Sequence, residues 1–268
     1  MNRQLKSVNI DWYDTPLYYD IVFAKDTELE AGFLEEVMRR HGDAWHEESL
    51  RVLEPACGSG RLMEAMARRG HRVWGFDLNP NMVSHTRDRL RKDGDAVVCW
   101  QDKMEDFTVE GTPTFDLAHC LVSTFKYVLS EKGAVSHLQR VAECLHEGGL
   151  YVLGIHLTDY TDAREQHERW VGDRDGVHVV CNTHTWPADR RARTEKLRTR
   201  LRITREGKRV LQETQWTFRT YNAAEVKRLL RAVPELELMA CYDFTYELDQ
   251  PRKLDDQYAD IVLVLRRR

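Results

Sequence analysis

The sequence lacks what a membrane or extracellular protein would need. No apolar run approaches the ~20 residues required to cross a bilayer, and those at 149–155 and 261–265 are far shorter. The start, MNRQLKSVNIDWYD, has none of the apolar core of a secretory leader. Six cysteines (Cys57, Cys99, Cys120, Cys144, Cys181 and Cys241) are scattered without a C-x-x-C pair. Several lie inside apolar runs, which suits buried free thiols rather than a disulfide frame. His178, His184 and the run REQHERW at 164–170 lack metal-ligand spacing, so no metal is expected. The net charge of −4 gives no general attraction for nucleic acid. These absences lead to the expectation of a cytoplasmic protein with no membrane partner.

What is present is a core of ordinary size. In 268 residues, 42% are apolar and 31% charged, enough for one large α/β domain or two small ones. The run TELEAGFLEEVMRRHG (27–42) has helical spacing and ends on Gly42. LRVLEP (50–55) reads as a strand, residues 60–69 as a helix, and RVWGFD (72–77) as a second strand. Asn79-Pro80 opens a helix over about 80–91. DAVVCW (95–100) and FDLAHCLV (115–122) are the third and fourth strands. Residues 131–146 form a helix closed by Gly148-Gly149, and LYVLGIHL (150–157) is the fifth strand. Strands alternating with helices at this spacing imply right-handed crossovers and a parallel sheet covered on both faces.

In such a sheet the ligand sits beyond the carboxyl ends of the strands, where the strand order reverses. The loop after the first strand, LEPACGSGR, therefore matters most. A dinucleotide loop needs a third glycine for close helix packing, and Met63 occupies that position. The Gly-Lys-Ser/Thr of a P-loop is absent. Glu54 would repel a pyrophosphate but attract an ammonium or sulfonium. Asp77 closes the second strand, 17 residues after Gly60, where a carboxylate accepts from both ribose hydroxyls at ~1.5–3 kcal/mol per charge-assisted bond. Asp102 follows the third strand and suits the exocyclic amine of adenine; Met104 suits either the adenine face or the core. Glu54, Gly58, Gly60, Asp77 and Asp102 together describe a pocket for a nucleoside with an amino-acid tail, S-adenosyl-L-methionine. Asp77 and Asp102 have a second reading as turn or helix caps.

The stretches LEPACGSGR, GFDLNPNMV, QDKMEDF, FDLAHCLVSTFKYVL and CLHEGGLYVLGIH, covering about 50–156, resemble the successive motifs of class I S-adenosylmethionine-dependent methyltransferases. The resemblance implies an α/β fold, a Rossmann-like seven-stranded sheet whose last strand is antiparallel. ELELMACYDF (235–244) and YADIVLVLRR (258–267) supply its last two strands. It also places Ala56, Arg61, Leu78, Met82, Lys103, Cys120 and Leu121 at the cofactor. The Pro-Pro-aromatic tetrapeptide of enzymes that methylate DNA-base amines is missing from HCLVSTFKYV.

The stretch is more similar to the small-molecule branch, including sugar-amine N-methyltransferases. That branch keeps a histidine facing the acceptor where this chain has Tyr127, preceded by Ser123 and Thr124. A tyrosine there can orient an acceptor but, with a pKa of ~10, is a poor base near neutrality. The alternative is that Tyr127 is an ordinary structural aromatic. In the same branch an N-terminal Tyr-Asp segment folds over the cofactor, and Tyr19 before Asp20 matches it.

Residues 177–186, 195–204 and 208–221 alternate like antiparallel strands, with a turn at Glu206-Gly207. One of them sets Arg198, Arg200 and Arg202 on one face and Leu197, Leu201 and Ile203 on the other. Ten of the twenty residues from Arg190 to Arg209 are Lys or Arg, so a solvated face, an anionic acceptor or an RNA backbone are all open. Four segments result: an N-terminal cap and first helix (1–45), a cofactor-binding core (46–156), an inserted antiparallel lid or dimer sheet (157–220), and a C-terminal helix and hairpin (221–268). The expected function is methyl transfer to a nitrogen or oxygen of a small-molecule acceptor, with a homodimer possible. The alternatives are an RNA or protein methyltransferase using the basic insert, or a cofactor-binding protein without turnover.

Overall fold

The computed structural model describes residues 7–42, 49–92, 94–111 and 114–268; the expected boundary between residues 45 and 46 lies outside them. Strand β1 (Ser7–Asn9) precedes helices α1 (Pro16–Phe23) and α2 (Thr27–His41). The alternating units follow: β2 (Arg51–Pro55), α3 (Arg61–Arg68), β3 (Arg72–Asp77), α4 (Pro80–Arg89), β4 (Val97–Gln101), β5 (Phe115–Cys120), α5 (Glu131–Cys144) and β6 (Leu145–His156). Four long strands come next, β7 (Gln166–Arg174), β8 (Val177–Thr185), β9 (Thr194–Arg205) and β10 (Lys208–Arg219). Then come α6 (Ala223–Arg231), β11 (Leu236–Tyr242) and β12 (Asp260–Arg267).

Seven of these strands form one sheet in the order β4-β3-β2-β5-β6-β12-β11. The pairings β2–β3, β3–β4, β2–β5 and β5–β6 are parallel, whereas β12 runs antiparallel to both β6 and β11. The order reverses between β2 and β5, which fixes the crevice at their carboxyl ends. Both faces are covered. Phe33, Leu34, Val37 and Met38 of α2 and Leu62 and Met66 of α3 pack on one side; Leu138 and Val141 of α5 and Val226 and Leu229 of α6 pack on the other. Each such large apolar side chain contributes about 1.5–3 kcal/mol relative to exposure.

The inserted strands form a second sheet, ordered β1-β10-β9-β8-β7. Its inner face buries Val177, Val179, Cys181, Leu201 and Ile203 against Trp12, Ile21 and Val22 of the N-terminal segment. Arg200 and Arg202 face solvent on the other side, as the alternation in the sequence requires.

One local expectation, the helix end before Gly148-Gly149, is corrected, and two elements are added to those expected. Residues 16–23 are helical, because Pro16 occupies the first turn and Ile21 and Val22 have a face to bury. Residues 145–149 are strand rather than the end of a helix. The register with β5 slips between Phe115 and Leu117, and Gly149 sits where a Cβ would lie 3.0 Å from the carbonyl oxygens of His146 and Phe115. Residues 166–174 are a strand that the polar composition of REQHERW conceals.

Candidate active site

The loop after β2 turns on left-handed residues. Ala56 (φ 54°), Gly58 (φ 54°) and Gly60 (φ 71°) all take positive φ. A Cβ on Gly60 would lie 2.5 Å from Cγ2 of Thr86, so only glycine fits there. Thr86 in turn donates its hydroxyl to the carbonyl of Gly58 at 2.8 Å. Asp77 Oδ2 accepts from the Gly58 amide at 2.9 Å, and Oδ1 from the Asn79 amide at 2.8 Å. Asp77 thus ties the loop to the end of β3. Desolvation holds its carboxyl above the usual range despite those amide bonds.

Glu54 is the unusual group. It is buried on β2, and its Oε2 has no hydrogen-bond partner among the described residues. Burial pushes its carboxyl well above the ordinary value, against the opposing charge of Arg61. His119 of β5, fully buried, places Nε2 at 4.0 Å from that oxygen. Desolvation drives the His119 pKa down to about 3, so it is neutral and cannot compensate the carboxylate. A buried carboxyl without a partner is costly unless a cation completes it.

The other expected cofactor residues have varied surroundings. Leu78 stays two-thirds exposed beside Asp77, an open apolar seat, and its carbonyl accepts from Gln101 Nε2. Asp102 accepts the Lys103 and Thr108 amides at 2.9 and 3.0 Å, which caps its own loop and leaves further lone pairs. Met104 belongs to the core with Phe76 and Phe107. Met82, Cys120 and Leu121 are buried, and Lys103 pairs with Asp106 at the surface. Arg61 is engaged by Glu30 and by Thr27 Oγ1 at 3.0 Å. Tyr19 packs its ring over Gly58, where a Cβ would lie 3.8 Å from its Cε1.

A cavity of about 490 Å³ lies between the crevice and the inserted sheet. Trp12, Tyr13, Tyr19, Trp170, Trp186, Trp216 and Phe218 form aromatic walls. Its floor is the turn after β5, where Val122 (φ 55°) and Ser123 (φ 61°) are successive left-handed residues, a strained arrangement for a β-branched side chain. Tyr127 lines the cavity, but its hydroxyl is 2.6 Å from that of Tyr13. Burial raises the Tyr127 pKa, so the phenol is a neutral donor or acceptor and not a base.

Several residues here escaped sequence reasoning. Asp20, fully buried on α1, accepts from Ser59 Oγ at 2.8 Å and pairs with Arg174 at 2.6 Å and with Arg89, so it joins cap, glycine loop, α4 and lid. Lys126 and Glu195 form a 2.7 Å ion pair at the wall. Glu168 lines the cavity from β7, and His156 lines it at the end of β6 with Nδ1 bonded to Asp260. The alternation of β7 was the signal available for Glu168. For His156 it was the strand-end position in GIHL.

One group among the described residues brings possible metal ligands together: Glu165, His167 and His184, whose ligand atoms lie within 4.8 Å of one another. Their strand positions alternate with those of Gln166, Glu168, Thr183 and Thr185, which line the cavity. His184 Nε2 is bonded to Glu165 at 2.7 Å and its ring stacks on His167 at 4.4 Å, which accounts for the cluster without an ion.

Residues 52–149 match the family model of a methyltransferase domain. That stretch, from β2 into β6, is similar to a methyltransferase domain. A putative methyltransferase of Geobacillus sp. (strain WCH70) is 26% identical over 126 residues, 47% of this chain and 49% of that protein. The chain spans about half the length, or less, of the curated relatives it matches. Among solved structures, DesVI of Streptomyces venezuelae is 18% identical with a TM-score of 0.74, covering 96% of this chain and 99% of that one. CalS10 of Micromonospora echinaspora, described as an amino pentose methyltransferase with bound S-adenosylmethionine, is 17% identical with a TM-score of 0.70, covering 98% and 100%. At such identity the likeness establishes the fold alone, the second sheet included. No helix among the described residues is long and apolar enough to cross a membrane.

Proposed function

We propose that this chain transfers the methyl group of S-adenosylmethionine to an amine nitrogen of a small-molecule acceptor held in the cavity under the lid. The observation that carries the reading is the pairing of two sites. One is a buried, unpartnered carboxylate beside a glycine loop; the other is an adjacent aromatic cavity with unbalanced negative charge.

Glu54 fits the ammonium of the methionyl tail, Asp77 the ribose, and the exposed Leu78 with Asp102 the adenine. Tyr19 closes over Gly58. When bound, the cofactor supplies an electrophilic methyl on a sulfonium. The protein's remaining task is to hold a nucleophile in line and exclude water, which itself accounts for much of the rate in such transfers.

The charge of the cavity favours an amine over a hydroxyl. Of its lining charges, Lys126 is neutralised by Glu195 and Arg164 by Asp162. Glu168 and Asp159 remain without an ion pair among the described residues, so the cavity attracts a cation. The tryptophan walls add cation–π attraction for an ammonium and apolar faces for a ring. The fold matches that of CalS10, an amino pentose methyltransferase. The basic lid offers less to RNA than its composition implies. Arg193 and Arg219 are engaged by Glu131, Arg200 by Glu213, and Arg198 lies over Trp186.

Calorimetry with S-adenosylhomocysteine and a turnover screen against primary and secondary amines, amino sugars included, test the reading. Expected is cofactor binding together with S-adenosylhomocysteine release with at least one amine. Turnover only with RNA, protein or hydroxyl acceptors would overturn it.

A further inference from the structure

We propose that His156, oriented by Asp260, is the general base that takes the acceptor's proton. This deepens the amine-methylation reading and rests on it. The histidine that related small-molecule enzymes keep after the fourth core strand is Tyr127 here, and that phenol is bound to Tyr13 and stays protonated. The structure supplies an imidazole one strand further along, on the same side of the crevice.

The geometry is that of an oriented base. His156 ends β6 and lines the cavity. Its backbone amide donates to Ser123 Oγ at 2.7 Å, which fixes the strand end against the strained turn after β5. Nδ1 is bonded to the Asp260 carboxylate, contributed by the antiparallel strand β12 directly opposite. A carboxylate accepts only, so Nδ1 carries the hydrogen in the neutral ring and the lone pair lies on Nε2. Nε2 has no partner among the described residues. Phe244 packs its ring against the imidazole at 5.0 Å and limits its rotation.

The surroundings suit proton transfer. Besides Asp260, Glu168 from β7 acts on the ring electrostatically, and Glu195 from β9 and Lys126 from the turn after β5, themselves paired, act on Glu168. Desolvation raises the Glu168 carboxyl, and the nearby His156 charge opposes that rise, so the two sense each other across the cavity. An acceptor enters as an ammonium and must lose a proton before its nitrogen has a lone pair. The nitrogen gives its proton to Nε2. Its lone pair then forms the N–CH₃ bond while the S–CH₃ bond breaks, and that bonding pair stays on sulfur as the thioether. Imidazolium and Asp260 carboxylate remain as a neutral pair until solvent takes the proton.

Two readouts test this. Without any acceptor, long-range ¹H–¹⁵N spectra of histidine-labelled protein with S-adenosylhomocysteine should show His156 in the Nδ1–H form. In Asp260→Asn that preference should be lost. An Nε2–H form in the wild type would overturn the proposal. With an amine found in the screen, wild-type kcat should rise tenfold per pH unit along an acid limb and then level. His156→Asn and His156→Gln should each lower kcat near neutrality by 100-fold or more and displace the limb to the higher pH at which the acceptor's ammonium loses its proton unaided, with S-adenosylhomocysteine affinity within twofold of wild type. Asp260→Asn should lower kcat about tenfold and move the limb. An undisplaced limb and a kcat within threefold in both His156 variants would refute the base while leaving amine methylation standing. A wild type that binds the cofactor but methylates no amine refutes the parent reading, and the tautomer measurement still judges the dyad.

Discussion

The hydroxyl oxygens of Tyr13 and Tyr127 lie 2.6 Å apart, joining the N-terminal cap to the turn after β5 in the lining of the cavity. Burial raises both phenols, so each stays protonated and one donates to the other. The pair also sits within an aromatic cluster: Tyr127 meets Phe218 edge-on at 4.6 Å, and Tyr13 lies 5.5 Å from Tyr19. The residue expected to orient the acceptor is therefore first a fastener of the cap.

Tyr13→Phe and Tyr127→Phe should each cost about 1 kcal/mol in urea unfolding, and the double variant little more than either, since both remove one bond. Additive costs would show that the hydroxyls act separately. If Tyr127 also touches the acceptor, Tyr127→Phe lowers turnover where Tyr13→Phe does not.

Glu54 should make cofactor binding pH-dependent. Its folded pKa lies well above the usual 4.5, so the free protein keeps this proton at pH values where an exposed glutamate has lost it. An ammonium beside it favours the carboxylate. Binding then releases a proton, and affinity strengthens as pH rises from the ordinary value through the raised one. Calorimetry in buffers of different ionisation enthalpy measures that proton. Glu54→Gln should weaken S-adenosylhomocysteine by roughly 10- to 100-fold at high pH and flatten the profile. In the free protein the same group binds more protons folded than unfolded, so it lowers stability as pH rises. Glu54→Gln should therefore raise the Tm of the free protein near neutrality; an unchanged Tm and a parallel pH profile would refute the assignment.

Gly60 and Thr86 give a paired test of the loop. Gly60→Ala adds both a left-handed alanine and a Cβ 2.5 Å from Thr86 Cγ2, at about 1–3 kcal/mol, and disturbs the bond from Thr86 to the Gly58 carbonyl. Combining it with Thr86→Ser removes the clashing methyl and keeps the hydroxyl, so part of the lost S-adenosylhomocysteine affinity should return. No recovery would mean that backbone strain alone is responsible.

The parts of this protein that were legible in the sequence are those where one local signal decides. Glu54, Gly58, Gly60 and Asp77 stand at strand ends that the apolar runs mark, and the order of those runs determines the sheet. The second sheet was legible where alternation was clean, as along Leu197, Leu201 and Ile203, and lost at β7, where Gln166 and Glu168 face the cavity and only Trp170 packs on the core. Contacts between distant segments carry no local signal. Asp260 meets His156 across 104 residues and Tyr127 meets Tyr13 across 114, and nothing near either residue announces its partner. Asp20 was read only as the neighbour of Tyr19, and its three partners come from three separate elements.

Asp20 should govern how the cap responds to acid. It is fully buried and holds Ser59, Arg89 and Arg174 at once. Burial alone would raise its carboxyl, but the bonds from Arg89, Ser59 and Arg174 outweigh it and hold the group below the usual 3.8. A depressed folded pKa means that the stabilisation is complete above the unfolded value and disappears as pH falls through the folded one. Asp20→Asn keeps the shape and removes the charge, leaving Arg174 without this counter-ion and Arg89 with Glu64 at 3.7 Å. The expected cost is about 3–5 kcal/mol at neutral pH. Urea unfolding of both proteins from pH 7 to pH 3 should show that gap constant down to about pH 5 and narrowing below about pH 4, as wild-type Asp20 takes up its proton. A gap that persists undiminished at pH 3 would mean that Asp20 acts through packing and neutral hydrogen bonds rather than through its charge.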